Sequence, residues 1–401
     1  MPAPSVAERL AAVADACVRI ASQRHKSPIA PDVQRLSALF TSDRGSRART
    51  YMRDPALRRA YLAFFVPHNV ARIALLLQRV RGDGLLPDHG QPPRVVDVGA
   101  GPLSGVLACW AVYGRLGGAW AVDISKAALE DGAAVLDAVG ADVGGLTLIE
   151  KSITAAPRSW LPPRGSVDVV IAANVLNEIS DPREVQARVD VAAACVDGLA
   201  DGGRVLIVEP SLRVEARALM GVRDEIVASN VAAVLSPCRG ARTCPLLRTR
   251  GDWCHGELVW GSRPLAYTQL EQQTKLPKQA LSTAHLLLAS KETAAPKAGL
   301  RLVGGVMHAD RDRRYACGRD LVTLEGSPRL PPAVGLPLRG SLVDDAAAAQ
   351  AAPTTMTTPT TKTPTTRPAQ AATSSRSDRG GRGPGPPRGR SSPKDRRGPR
   401  R

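Results

Sequence analysis

Between residues 94 and 208 the chain repeats one pattern: a short apolar run, a turn, a stretch of helical spacing, and another apolar run. The runs are Arg94–Gly99, Ala119–Asp123, Leu146–Ile149, Val167–Ala172 and Val205–Val208. Helical spacing fills the intervals near Ser104–Arg115, Lys126–Val139 (with Ser125 as N-cap) and Glu184–Leu199. Runs so continuously apolar cannot keep one face in water, and a helix between them returns the chain to start the next strand in the same direction. The pattern predicts an α/β fold with a parallel, doubly wound sheet covered on both faces.

The flanking regions read differently. Residues 1–90 predict helices, over Val6–Ile20 and Tyr61–Val80, with Pro67 marking a boundary or kink. After Glu209 come a helix over Glu215–Ser229, a Cys-, Arg- and Pro-containing loop over Pro237–His255, and strands at Ala284–Ser290, Leu300–Met307 and Leu321–Leu324. The chain therefore divides into an N-terminal helical region (1–90), a core (91–235), a Cys loop with C-terminal strands (236–345) and a tail (346–401). With 43% hydrophobic residues the chain can bury a sizeable core, which excludes a wholly disordered or fibrous protein. No apolar run suggests a membrane span, and an odd count of seven Cys argues against a disulfide scaffold, so the reducing cytoplasm is expected, and the chain is expected to be a monomer. Of the net charge of +17, the tail supplies +10 while lacking Leu, Ile, Val and aromatic residues. Such a composition predicts disorder, serving either phosphate contacts or solubility.

One site lies at the first strand's end. In Val95-Val96-Asp97-Val98-Gly99-Ala100-Gly101 a carboxylate precedes two turn glycines, letting backbone N–H groups approach a ligand at a helix N-terminus. Asp123, 22 residues after Gly101, ends the second strand where doubly wound folds bind a ribose. A turn kept without its ligand is the plainer alternative. The motif looks like that of class I S-adenosylmethionine-dependent methyltransferases, with Leu103 standing where a third glycine is common. That resemblance implies cofactor contacts at Asp97, Gly99, Gly101, Asp123 and Asn174. The Asn/Asp-Pro-Pro-aromatic segment of enzymes acting on exocyclic base amines is absent. Asn177 and Glu178 are the candidates for orienting a target, with Glu209 on the same rim.

Three cysteines, Cys238, Cys244 and Cys254, fall in the Arg-bearing loop, His255 follows, and Cys317 comes after a strand-rich stretch. Clustered thiols in a Gly/Pro/Arg loop point to a soft metal, either zinc or iron–sulfur, whereas Cys17, Cys109 and Cys195 sit singly on apolar stretches as packing residues. Pro237-Cys238 and Thr243-Cys244 also mimic the nucleophile segments of RNA carbon-5 methyltransferases, but lie too far beyond the fifth strand's end.

The combination resembles the methyltransferase-like assembly factors of the mitochondrial ribosomal small subunit, a group with bacterial members. The resemblance rests on Ala60-Tyr61-Leu62, Pro67-His68-Asn69, Asp97-Val98-Gly99-Ala100-Gly101-Pro102, Val175-Leu176-Asn177-Glu178, Glu209-Pro210, Ser236-Pro237-Cys238, Thr243-Cys244-Pro245, Asp252-Trp253-Cys254-His255 and Cys317. It covers about residues 50–325 and implies a [4Fe-4S] cluster on Cys238, Cys244, Cys254 and Cys317, and binding to the small ribosomal subunit and its rRNA. Leu103, and Ser211 where many relatives have glycine, depart from the pattern. Three functions follow: an rRNA-binding assembly factor, an active rRNA methyltransferase, or a small-molecule methyltransferase with a zinc-stabilised lid. The basic tail and the loop arginines Arg239, Arg242, Arg248 and Arg250 favour the first two.

Overall fold

The computed structural model describes residues 3–24, 27–41, 51–88, 90–154, 156–179, 184–238, 242–277, 280–294, 296, 299–303, 314–324, 339–343 and 352–353. Arg239, the far end of the strand expected over Leu300–Met307, and almost all of the tail lie outside these residues.

Four helices precede the sheet: α1 (Val6–Arg24), α2 (Ala30–Thr41), α3 (Pro55–Ala60) and α4 (Val66–Gly82). A π-helical turn, Tyr61–Phe65, joins α3 to α4, so helix runs on through Pro67. The wide turn lies just ahead of the residue that lacks an N–H, where a regular ladder could not be completed. By length and hydropathy Pro55–Gly82 could cross a membrane, which the sequence reading did not anticipate; 78% of its most apolar window is buried inside the protein, as in a core helix.

Along the chain follow β1 (Arg94–Val98), α5 (Ser104–Tyr113), β2 (Gly118–Asp123), α6 (Lys126–Ala138), β3 (Leu146–Glu150), β4 (Val167–Ala173), α7 (Val185–Asp197), β5 (Leu199–Pro210) and α8 (Arg213–Ala228). Next are β6 (Ala233–Ser236), β7 (Gly256–Val259), α9 (Leu265–Thr274) and β8 (Ala280–Ala289). The sheet order is β3-β2-β1-β4-β5-β8-β6, with β7 pairing the start of β8. Strands β3, β2, β1, β4 and β5 are mutually parallel, and β8 is antiparallel to both neighbours. β8, expected among the strands after residue 235, is an interior strand of the main sheet. The reason is its burial, unbroken from Thr283 to Ala289, which only a position between two strands and two helical layers satisfies.

Alternate residues point to opposite layers. Val95, Ile171, Leu206 and Val208 pack with α1, α2, α4 and α5, while Val96, Val170, Val205 and Ile207 pack with α7 and α8. A separate antiparallel sheet contains β9 (Leu300–Leu302), β10 (Arg314–Cys317), β11 (Leu321–Leu324), β12 (Leu342–Val343) and β13 (Ala352–Pro353), ordered β12-β9-β10-β11-β13. β13 falls within the stretch read as tail.

Candidate functional site

The parallel strands bring their carboxyl ends to one rim. Gly99 and Gly101 take left-handed φ of 65° and 50°, and a Cβ on Gly99 would stand 2.2 Å from Val175 Cγ2, so only glycine fits against β4's exit. Asp97 lies beneath the turn. Its Oδ2 accepts the N–H groups of Gly105 (2.8 Å) and Val106 (3.1 Å), the first turn of α5. Burial, only partly opposed by those hydrogen bonds, pushes its pKa up to about 7. Asp123 closes the turn from β2: one oxygen accepts from Gly101 N (2.9 Å), the other from Ser125 N (2.8 Å).

Leu103 adopts left-handed φ 57°, ψ 37°, the geometry a third glycine would hold. Its side chain is fully buried in the helical layer, with Cδ1 2.7 Å from where a Cβ on Gly132 of α6 would lie. The leucine therefore fills a core gap that Gly132 leaves.

β4's exit carries the other sequence candidates. Asn174 is also left-handed (φ 56°), and its N–H donates to Val208 O at 2.7 Å. Its side chain joins a chain of polar groups on α4. Arg72 Nη2 donates to Asn174 Oδ1 (3.1 Å) and Asn69 Oδ1 (2.5 Å), and Asn69 Nδ2 donates to Tyr61 OH (2.9 Å). Tyr61 stacks tilted on Tyr51, centroids 5.4 Å apart. Both phenols are raised, first by burial and then in part by the Glu178 and Asp123 carboxylates, Tyr61 to about 12. Asn177 is drawn the other way: its Nδ2 donates to Glu209 Oε2 (2.7 Å), while Leu176 N donates to Oε1 (2.9 Å). Burial lifts Glu209 to about 7. The Glu178 side chain is exposed. Arg72 escaped the sequence reading, although it is the sole Lys, Arg, Asp or Glu between Ala60 and Gln78, a signal in plain view.

The cysteines form a second centre. Cys238 follows β6, Cys244 and Cys254 lie in the loop, and Cys317 ends β10, yet all four line one cavity with Met220, Leu246 and Val303. Burial first, then the neighbouring cysteines, raises Cys317 to about 12 and Cys244 to about 11. Burial raises the Cys238 pKa as well, opposed in part by buried Arg223 and Arg301. Among the described residues no group of three or more His, Cys, Asp or Glu is spaced to hold a single metal ion, and the cysteines are free thiols. His255 borders the cavity, but its ring stacks on Trp253 (5.5 Å) and contacts Arg339, and burial lowers it to about 4. Cys17, Cys109 and Cys195 are buried singly in α1, α5 and α7.

The loop is clamped by a residue sequence reasoning missed. Arg217 on α8 donates to the carbonyls of Leu246 (3.4 Å), Leu247 (3.3 Å), Thr249 (2.7 Å) and Asp252 (2.6 Å). Of the loop arginines, Arg242 and Arg250 are exposed, whereas Arg248 pairs with Asp320 at 2.9 Å.

A sequence profile described as mitochondrial small ribosomal subunit Rsm22 matches residues 58–274, just over half of the chain. No curated protein matches. Among solved structures, magnesium protoporphyrin IX methyltransferase from Synechocystis PCC 6803 with bound SAM is 14% identical, covering 65% of this chain and 97% of that one, with a TM-score of 0.34. A SAM-dependent methyltransferase from Aquifex aeolicus is 15% identical (42% and 86% covered, TM-score 0.31). An arsenic(III) S-adenosylmethionine methyltransferase from Chlamydomonas reinhardtii is 19% identical (58% and 77% covered, TM-score 0.32). The strand order, with one antiparallel strand beside the fifth, is that of class I methyltransferases.

Proposed function

The chain belongs to the mitochondrial small ribosomal subunit Rsm22 family, and we propose from that premise that it binds the small subunit's rRNA during maturation through a methyltransferase-like body carrying a structural iron–sulfur cluster. The observation that carries this reading is the reach of the family match. It spans the glycine turn, the β4 and β5 exits and three of the four cysteines, and the fold brings the fourth, Cys317, to the same cavity.

The donor set suits a [4Fe-4S] cluster better than a lone ion: four thiols from separate segments line a mainly apolar cavity, and two buried guanidiniums offset the negative charge that four thiolates would bring. Cys238, Cys244, Cys254 and Cys317 would hold the cluster and so tie the loop to the second sheet, leaving Arg242 and Arg250 on a fixed surface for phosphates. Co-sedimentation of the protein with small subunits, with binding that falls steeply as salt rises, is the expected result. Protein purified without oxygen should carry iron and acid-labile sulfide, and Cys254→Ser should lose iron and weaken rRNA binding. Stoichiometric zinc, or unchanged rRNA affinity on loss of metal, would overturn the cluster's role.

The rim supports an S-adenosylmethionine pocket, with Gly99, Gly101 and Asp123 at the nucleoside and Asp97 holding the turn beneath. S-adenosylmethionine, when bound, supplies a methyl group on a sulfonium. A second reading, methyl transfer to an rRNA base, is favoured by Glu209, a buried carboxyl titrating near neutrality and bonded to Asn177. Asn177 and Glu178 would then orient the acceptor. Tritiated methyl transfer to isolated subunits separates enzyme from binding factor.

A further inference from the structure

Between Ala60 and Gln78, a stretch that includes most of α4, Arg72 is the sole Lys, Arg, Asp or Glu, and it reaches Asn174 at the rim. The charge is permanent, because a guanidinium does not release its proton under ordinary conditions. Its two hydrogen-bond partners, the Asn69 and Asn174 amide oxygens, are neutral, and its Nε is buried with no hydrogen-bond partner among the described residues. Burial lowers its pKa, with Tyr61 and Glu209 opposing that shift from nearby. Glu209 is itself bonded to Leu176 and Asn177. Among the described residues the hydrogen bonds given to this guanidinium are to neutral oxygens and none is to a carboxylate, and a desolvated guanidinium so placed is costly unless an anion completes it. Asn69, Tyr61 and Asn174 hold it in place without neutralising it.

The place of this charge in the sheet specifies the anion. Asp123 ends β2 and Asn174 follows β4, the strands on either side of β1 and its glycine turn. Two strand spacings, about 10 Å, separate those ends. A nucleoside held at Asp123 and extended across the glycine turn would reach Arg72 with whatever its far end carries. We propose that Arg72, positioned by Asn69 and Asn174, binds the carboxylate of an amino-acid group at that far end. A carboxylate presents two oxygens to a planar fork of N–H donors, the pairing guanidinium groups favour. This inference rests on the S-adenosylmethionine pocket proposed above and adds the residue that selects the amino-acid end.

Calorimetric titration of the full-length protein with S-adenosylhomocysteine and with methylthioadenosine, which lacks the amino-acid group, tests it. Wild-type protein should bind the first about 10–100-fold more tightly. Arg72→Gln should erase most of that preference while changing methylthioadenosine affinity less than about threefold. Asn69→Asp supplies a fixed carboxylate beside the guanidinium, so it should also weaken S-adenosylhomocysteine selectively, in a protein that melts no lower than wild type. Equal wild-type affinities for the two ligands would overturn the role of Arg72 and leave the pocket standing. An equal loss of both ligands in Arg72→Gln would show that Arg72 only supports the fold. If neither ligand binds wild-type protein, the pocket and the anchor fall together.

Discussion

Replacing Leu103 by glycine makes two changes of opposite sign. The left-handed backbone (φ 57°, ψ 37°) costs a leucine about 1–2 kcal/mol, which glycine recovers. The side chain is fully buried against Gly132, and deleting a buried leucine costs about 2–5 kcal/mol, toward the upper end where neighbours cannot close the gap. Here the leucine Cδ1 lies against Gly132 of α6, which has no side chain to fill the space left behind. The net expectation is destabilisation of about 1–3 kcal/mol. Leu103→Ala suffers the same cavity but keeps the strain, so it should be the less stable variant by about 1 kcal/mol. Urea denaturation with an unchanged m-value would measure both differences, and each kcal/mol should lower the melting temperature by about 2–4 °C. Affinity for S-adenosylhomocysteine should move less than about threefold, because the side chain faces the helical layer. A more stable Leu103→Gly protein, or one binding the nucleoside tenfold more tightly, would refute the reasoning by showing that the leucine intrudes on the ligand site.

Gly105→Ala should destabilise by about 2–4 kcal/mol in the same assay, since its Cβ would stand 2.5 Å from Asp97 Oδ1 and force the carboxylate off two helix-start N–H groups. Glu209 is held at about 7 when folded, above its unfolded value, so the folded state binds the extra proton. Its contribution is therefore fully present below about pH 4.5 and lost as pH rises through 7. Glu209→Gln should flatten that fall in stability between pH 5 and pH 8 by roughly 2–3 kcal/mol, with Leu176 N–H still satisfied, and urea midpoints at the two pH values check it. Arg217→Ala should free the segment 246–252, seen as faster limited proteolysis within it and lower iron content, while α8 stays folded.

The alternating strands and helices, the glycine turn with Asp97 and Asp123, and the partition of cysteines into packing and clustered sets were legible in the chain alone. These depend on local periodicity, on backbone conformations open mainly to glycine, and on spacing along the chain. Three other matters depended on how the elements pack. β8 entered the main sheet because only there are both of its faces covered, a condition invisible in an apolar run that an edge strand could also carry. Leu103 proved a core residue because Gly132, 29 positions later, leaves room for it. Arg72 and Arg217 acquired their roles from acceptors far along the chain, at Asn174 and at residues 246–252. A long cationic side chain has no periodicity of its own, and its hydrogen-bond partners are fixed only when helices and sheet close around it.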